Sequence, residues 1–206
     1  MLLETKFVLL VLIAWLALAL TVELPGSFQN VSAPVVAITV WSLTGISLLI
    51  CWAIPTLRDW TAIVDLRGLI GLHLTRFVGV YFLVLGARGA LPEGFARPAG
   101  IGDIIIAAGA GAILLVPPLR RRKTLLVWNA LGLIDILLVV FGALRFGLRD
   151  WSSMAPLREL PLSLLPTFLV PLIITSHILI FVRLARANPI LPFSAQSISA
   201  SVLRKQ

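Results

Sequence analysis

Two charges stand at the middle of apolar segments, and nothing else constrains this chain as strongly. Arg76 lies about halfway between Arg67 and Arg88, and Asp135 about halfway between Lys123 and Arg145. Each occupies a run otherwise long and apolar enough to cross a bilayer. A charged side chain at the bilayer centre costs ~3 kcal/mol or more unless it is paired or wetted. The sequence therefore predicts that guanidinium and carboxylate meet inside a helix bundle.

Composition makes lipid the solvent. The chain has 206 residues, of which 59% are hydrophobic and 13% charged, with a mean hydropathy of +1.05. A soluble domain of this size cannot hide that much apolar surface. The net charge of +8 and pI near 11.3 would suggest nucleic acid in a soluble chain. Here basic residues collected in loops on one side of a membrane explain them, and no nucleic acid is expected. Cys51 is the only cysteine and falls inside an apolar run, so no internal disulfide forms.

Six stretches are long enough to span ~30 Å of hydrocarbon. They run near Phe7–Leu24, Ala33–Ile54, Leu66–Ala87, Ala99–Leu119, Thr124–Leu144 and Leu160–Val182. Pro25-Gly26, Pro55, Pro92, Pro117-Pro118 and the segment from Gly147 to Pro156 interrupt them. The expected fold is an all-α polytopic transmembrane bundle over residues 1–187, with residues 188–206 as a mobile cytoplasmic tail. With the N-terminus inside, eleven Lys and Arg fall on the cytoplasmic side and five opposite, which also puts the C-terminus inside. Trp52, Trp60, Trp128 and Trp151 lie near expected interfaces and read as anchors. Lys6, an apolar run and Ala17-Leu18-Ala19 imitate a cleavable signal, but a first span often looks the same and is the preferred reading.

Polar groups inside the spans form a sparse ladder. Asp103 sits outward on the fourth span, Arg76 and Asp135 share the midplane, and Asn129, His73 and His177 lie inward. His73 and Arg76 are three residues apart and share a helical face. The preferred reading is structural: Arg76 bridges Asp135, with Asp103 as a second partner, because its planar fork holds two carboxylate oxygens at once. The rival is a proton or ion route, which a fixed midplane cation opposes. Asn129 reads as a helix-to-helix hydrogen bond.

Several sharper possibilities remain open. His73 and His177 on different helices suit bis-axial ligation of haem b, although lone histidines in spans are usually packing residues. Gly100-Ile101-Gly102-Asp103 spells the GxGD of intramembrane aspartyl proteases. The order of the two aspartates is reversed here, Ile134 replaces the expected tyrosine, and no Pro-Ala-Leu element exists, so a glycine-rich packing helix is preferred. Ala107 with Gly111, and Ala108 with Ala112, fit the small-residue rule for close helix contact. Pro166 and Pro171 free the carbonyls of Leu162 and Thr167, which calls for other donors, water or a bound ion at a kinked sixth span. No HExxH, paired CxxC, GxSxG or Walker loop occurs, and no metal site is expected.

Three segments together carry a resemblance: LPEGFARPAGIGD at 91–103, WNALGLID at 128–135 and LLPTFLVPLIITSHILIF at 164–181. They resemble a widespread group of uncharacterised bacterial multi-spanning proteins, over about the last two-thirds of the chain. The resemblance implies a bacterial cytoplasmic membrane and no particular activity. By elimination, the leading expectation is a non-catalytic accessory or assembly subunit that meets lipid and other integral membrane proteins through its helix faces. The alternative is a small proton- or ion-linked transporter using Asp103, Arg76 and Asp135.

Overall fold

The computed structural model describes residues 2–24 and 26–186, and the expected tail at 188–206 lies outside them. Among these residues there is no strand. The helices are α1 (Leu2–Glu23), α2 (Ala33–Ala53), α3 (Pro55–Ile63), α4 (Leu66–Leu72), α5 (Gly79–Ala87), α6 (Glu93–Leu115), α7 (Arg122–Arg149) and α8 (Val170–Arg186). Six helical stretches are long and apolar enough to cross a membrane, the third being α4 and α5 joined through a 3-10 turn over His73–Val78. This is the architecture of a multi-pass membrane protein.

Several boundaries differ from the sequence expectation; the fifth span, expected to end at Leu144, continues through Gly147 to Arg149, and others have a local reason. The fourth span begins at Glu93 rather than Ala99, after Pro92 at the cap position, and Pro98 lies inside the helix rather than ahead of it. It stops at Leu115 ahead of Pro117-Pro118. Pro55 ends α2 but also opens α3 at its first helical position, adding a short helix that loop length alone did not suggest. The last span runs from Leu165 rather than Leu160, because residues 160–163 form turns before it.

At Pro166 the chain forms a π-turn over Leu165–Leu169, with the Val170 N–H reaching the Leu165 carbonyl. Both carbonyls freed by proline find donors. Leu162 accepts from the Leu165 N–H at 2.9 Å, and Thr167 accepts from the indole N–H of Trp15 at 3.0 Å. Trp15 also meets Phe168 edge-on, ring centroids 5.2 Å apart, so α1 is clipped onto the π-turn. A cation site at the kink loses its free oxygens. Only 11% of each of the first two spans is buried, although α2 packs on α7, α8 and the π-turn.

α6 is the hub, packing on α5, the 3-10 turn and α7. Its buried face runs through Ala96, Ala99, Gly100, Asp103, Ala107 and Ala110. Ala107 is fully buried but Ala108 is exposed, so the Ala108–Ala112 pair is not part of this contact face. Backbones touch where α5 crosses α6: a Cβ built on Gly79 would lie 2.5 Å from the Gly100 carbonyl oxygen and 2.8 Å from Asp103 Cβ. Gly79→Ala should therefore cost about 1–3 kcal/mol through forced separation of the two helices. Gly71→Ala, with nothing within 4 Å of the new methyl, should be neutral or stabilising by up to about 1 kcal/mol. Thermal unfolding of both variants in one detergent checks the contrast.

Candidate functional site: a buried ion centre and its cavity

The 3-10 turn positions the cation. With three residues per turn, positions i and i+3 eclipse, so His73 and Arg76 stack in one column facing the interior. Both are essentially inaccessible, at 0% and 1%. Arg76 uses three nitrogens on three different groups. Its Nε donates to Asp103 Oδ1 at 2.6 Å, Nη1 donates to the Gly132 carbonyl at 3.0 Å, and Nη2 donates to Asp135 Oδ2. One guanidinium thus joins the third, fourth and fifth spans.

Glycines make room for this geometry. A Cβ at Gly102 would collide with the Asp135 carboxylate, so the second glycine of Gly100-Ile101-Gly102-Asp103 keeps α7 close. A Cβ at Gly132 would stand 2.5 Å from His177 Cε1 and 3.0 Å from its Nε2. Each carboxylate pairs with Arg76 and not with the other, which is not the proton-sharing pair an aspartyl protease needs.

On the side toward Arg120–Lys123 lies a second polar group. Asn129 Nδ2 donates to the His177 carbonyl at 3.0 Å, while its Oδ1 accepts from His177 Nδ1 at 2.8 Å. Ser176 Oγ donates to the Ile173 carbonyl at 2.8 Å and is hydrogen-bonded to His73 Nε2 at 3.1 Å. Because the Asn129 amide oxygen can only accept, His177 carries its proton on Nδ1. The imidazole centroids are 4.2 Å apart. Axial imidazoles of a haem stand on opposite faces of the macrocycle, and rings in mutual contact have no porphyrin-sized gap between them.

Trp128 departs from its expected place. It is 7% exposed, stands edge-on to His73 and donates its indole N–H to the Ile106 carbonyl at 3.1 Å. It is a core residue rather than an interface anchor. Trp52 and Trp60 fall at the other helix ends, and Trp52 is well exposed. Trp151 closes the loop end, donating to the Val31 carbonyl at 2.7 Å with Arg158 stacked over its ring. Beside it, the Ser152 hydroxyl and the Ser153 N–H donate to Asp150 and hold its carboxyl below the usual carboxylate range.

Between this loop end and the ion centre lies a cavity of about 80 Å³. Its walls are apolar, from Ala33 to Val40 on α2 and from Ile136 to Leu144 on α7, with Trp151 and Leu157 at one end. Arg76 and Asp103 line it at the other, and Pro166 borders it from the π-turn. Asp103 gives Oδ1 to Arg76, and among the described residues none donates a hydrogen bond to its Oδ2. Composition alone could not reveal this cavity, since its walls read as ordinary lipid-length helix.

Fold and site together define a membrane-type bundle of six candidate spans built around a buried Arg–Asp–Asp centre. A family profile described as a domain of unknown function, DUF8737, matches residues 33–185, and the chain belongs to that family. The matched segment contains the whole ion centre and excludes α1. No curated protein and no solved structure matches the chain.

Removing the guanidinium while both acids stay should be severe. Arg76→Gln is expected to lose about 3–5 kcal/mol of stability, because uncompensated charge is left in the interior. Combining it with Asp103→Asn and Asp135→Asn should recover most of the loss. Protein yield and unfolding in a graded detergent series check both outcomes.

Proposed function

We propose that the protein is a small, non-catalytic, proton-linked membrane transporter. One observation carries the reading: a single arginine is paired with two aspartates. A structural pin needs one carboxylate, and the second leaves the centre one negative charge in excess. Uncompensated charge is costly at membrane depth, so the centre favours taking up one proton or one monovalent cation. The titratable groups near it are Asp103, Asp135, His73 and His177, with Arg76 the fixed cation; α2 contributes no charged residue. Asp135 is the more reachable acid, its side chain 21% exposed against 5% for Asp103.

The setting we propose is a bacterial cytoplasmic membrane, supported by the resemblance of the three segments already quoted. The Lys and Arg distribution supports cytoplasmic termini, which places the Trp151 end of the cavity outside. In liposomes on a solid-supported electrode, a pH jump should displace charge through wild-type protein. Asp135→Asn should give the signal of empty liposomes at equal protein density. Wild-type signal no larger than empty liposomes would refute the transporter.

A second reading is the accessory subunit. It is supported by α1, a span 11% buried that lies outside the matched family segment and offers an apolar face to a partner. Purification at native expression in mild detergent should then yield a larger assembly that loses its partner when the outer face of α1 is altered at Leu10 and Ile13. Protein that runs alone in native lipid discs speaks against it.

A further inference from the structure

We infer that the end of the bundle where α7 begins and α8 finishes is a binding site for the phosphodiester headgroup of an anionic phospholipid, held by Arg121, Arg122, Lys123 and Arg186. The site is separate from the Arg76 centre and does not depend on transport.

The first observation is convergence. One apolar cluster contains Leu66, Leu119, Leu125 and Leu184. The segments that carry Arg67, Arg120, Arg121, Arg122, Lys123, Arg183 and Arg186 therefore meet at one end of the molecule. Backbone carbonyls then fix three of the arginines. Arg122 Nε donates to the Leu184 carbonyl at 3.1 Å, which brings the guanidinium from the start of α7 to the last turn of α8, where Arg183 and Arg186 stand. Arg183 Nη1 donates to the carbonyls of Thr61 and Val64 at 3.0 and 2.7 Å. Arg120 donates to those of Ile113 and Leu114 at 3.3 and 2.8 Å. Carbonyls at helix C-termini lack intrahelical donors and carry partial negative charge, so they draw and hold cations.

The second is sign. Among the described residues no carboxylate forms an ion pair with any of these seven cations. Nearby, Asp59 pairs with Arg58 at 3.8 Å, and Asp65 accepts from the Arg67 N–H at 2.9 Å as the cap of α4. Like charges gathered without a counter-charge repel one another, and an anion shared between them removes that cost. Arg121, Arg122, Lys123 and Arg186 are exposed. Among the described residues, none hydrogen-bonds to the side chains of Arg121, Lys123 or Arg186, so their donors are available.

The third is depth. Arg122 opens α7 and Arg186 closes α8, so the cluster stands where two apolar spans end. That is the level of the headgroup phosphates in a bilayer. The short helix α3 reaches the same end, tied there by Arg183, with Leu57 buried and Arg58 and Asp59 exposed. An arginine fork matches the paired oxygens of a phosphodiester. A zwitterionic headgroup brings its own cation, which these residues repel, whereas an anionic one does not.

The test places full-length protein in phosphatidylcholine discs with a trace of nitroxide-labelled phosphatidylglycerol or, separately, labelled phosphatidylcholine. Electron spin resonance reads the motionally restricted fraction of each label. Wild type should favour the anionic label about fivefold or more, the effect of one or more cations at an anionic headgroup. Arg121→Gln, Lys123→Gln and Arg186→Gln combined should bring the two labels within about twofold of each other. Arg88→Gln with Arg97→Gln, at the opposite end, should leave the preference unchanged. Should the triple variant fail to fold, added salt applied to wild type reads the same interaction, and the preference should fall as salt rises. Millimolar inorganic phosphate at constant ionic strength should not displace the anionic label; displacement assigns the site to free phosphate and overturns the lipid. Equal association of both labels with wild type overturns the proposal. So does a preference that survives the folded triple variant, is indifferent to salt, or disappears in the opposite-end variant.

Discussion

A guanidinium cannot lie in hydrocarbon alone, and the arrangement of this bundle follows from how Arg76 avoids doing so. Its planar fork presents donors in several directions from one point. The protein answers each direction with a different helix: Asp103 from α6, and Asp135 together with the Gly132 carbonyl from α7. Three spans must therefore hold one register and one rotation about their axes. A slip of one residue on any of them would remove a partner and leave buried charge uncompensated, a penalty of several kcal/mol.

The centre imposes its geometry on the surrounding sequence. Close approach requires glycine where a methyl group would strike backbone or carboxylate, as at Gly79 and Gly102. The 3-10 turn over His73–Val78 rotates Arg76 and His73 onto one inward line, at the expense of regular α-helical bonding in the middle of a span. The Asn129–His177 pair then joins the fifth and sixth spans, while Trp15 joins α1 to the π-turn. Each long contact consumes a polar group that lipid would not satisfy. Polar atoms at depth do most of the specifying here, while apolar area, which packs almost equally well against lipid tails, does less.

Much of this was legible in the residues. Apolar run length gave the six spans, and the depth of Arg76, Asp103 and Asp135 made their meeting a physical expectation. Pro171, four residues after Thr167, announced a free carbonyl. What could not be read was the donor that satisfies it, because Trp15 lies 152 residues away and looks like any lipid-facing tryptophan. Trp128 was misplaced for a related reason: depth along a helix is readable, but the face it presents depends on neighbours that sequence does not order. The cavity escaped entirely. A gap among well-formed helices is a property of their spacing, and valines lining it are indistinguishable from valines facing acyl chains.

The pairing of Arg76 with both acids can be measured directly. Solid-state NMR in lipid bilayers, with labelled arginine nitrogens and aspartate carboxyl carbons, reports the separations between Arg76 and residues 103 and 135. Both carboxyl carbons are expected within hydrogen-bonding reach of the guanidinium, and substitution of either aspartate should remove one contact and leave the other. A guanidinium coupled to neither carboxyl, or to only one in the wild-type protein, would contradict the three-helix centre and the charge excess that follows from it.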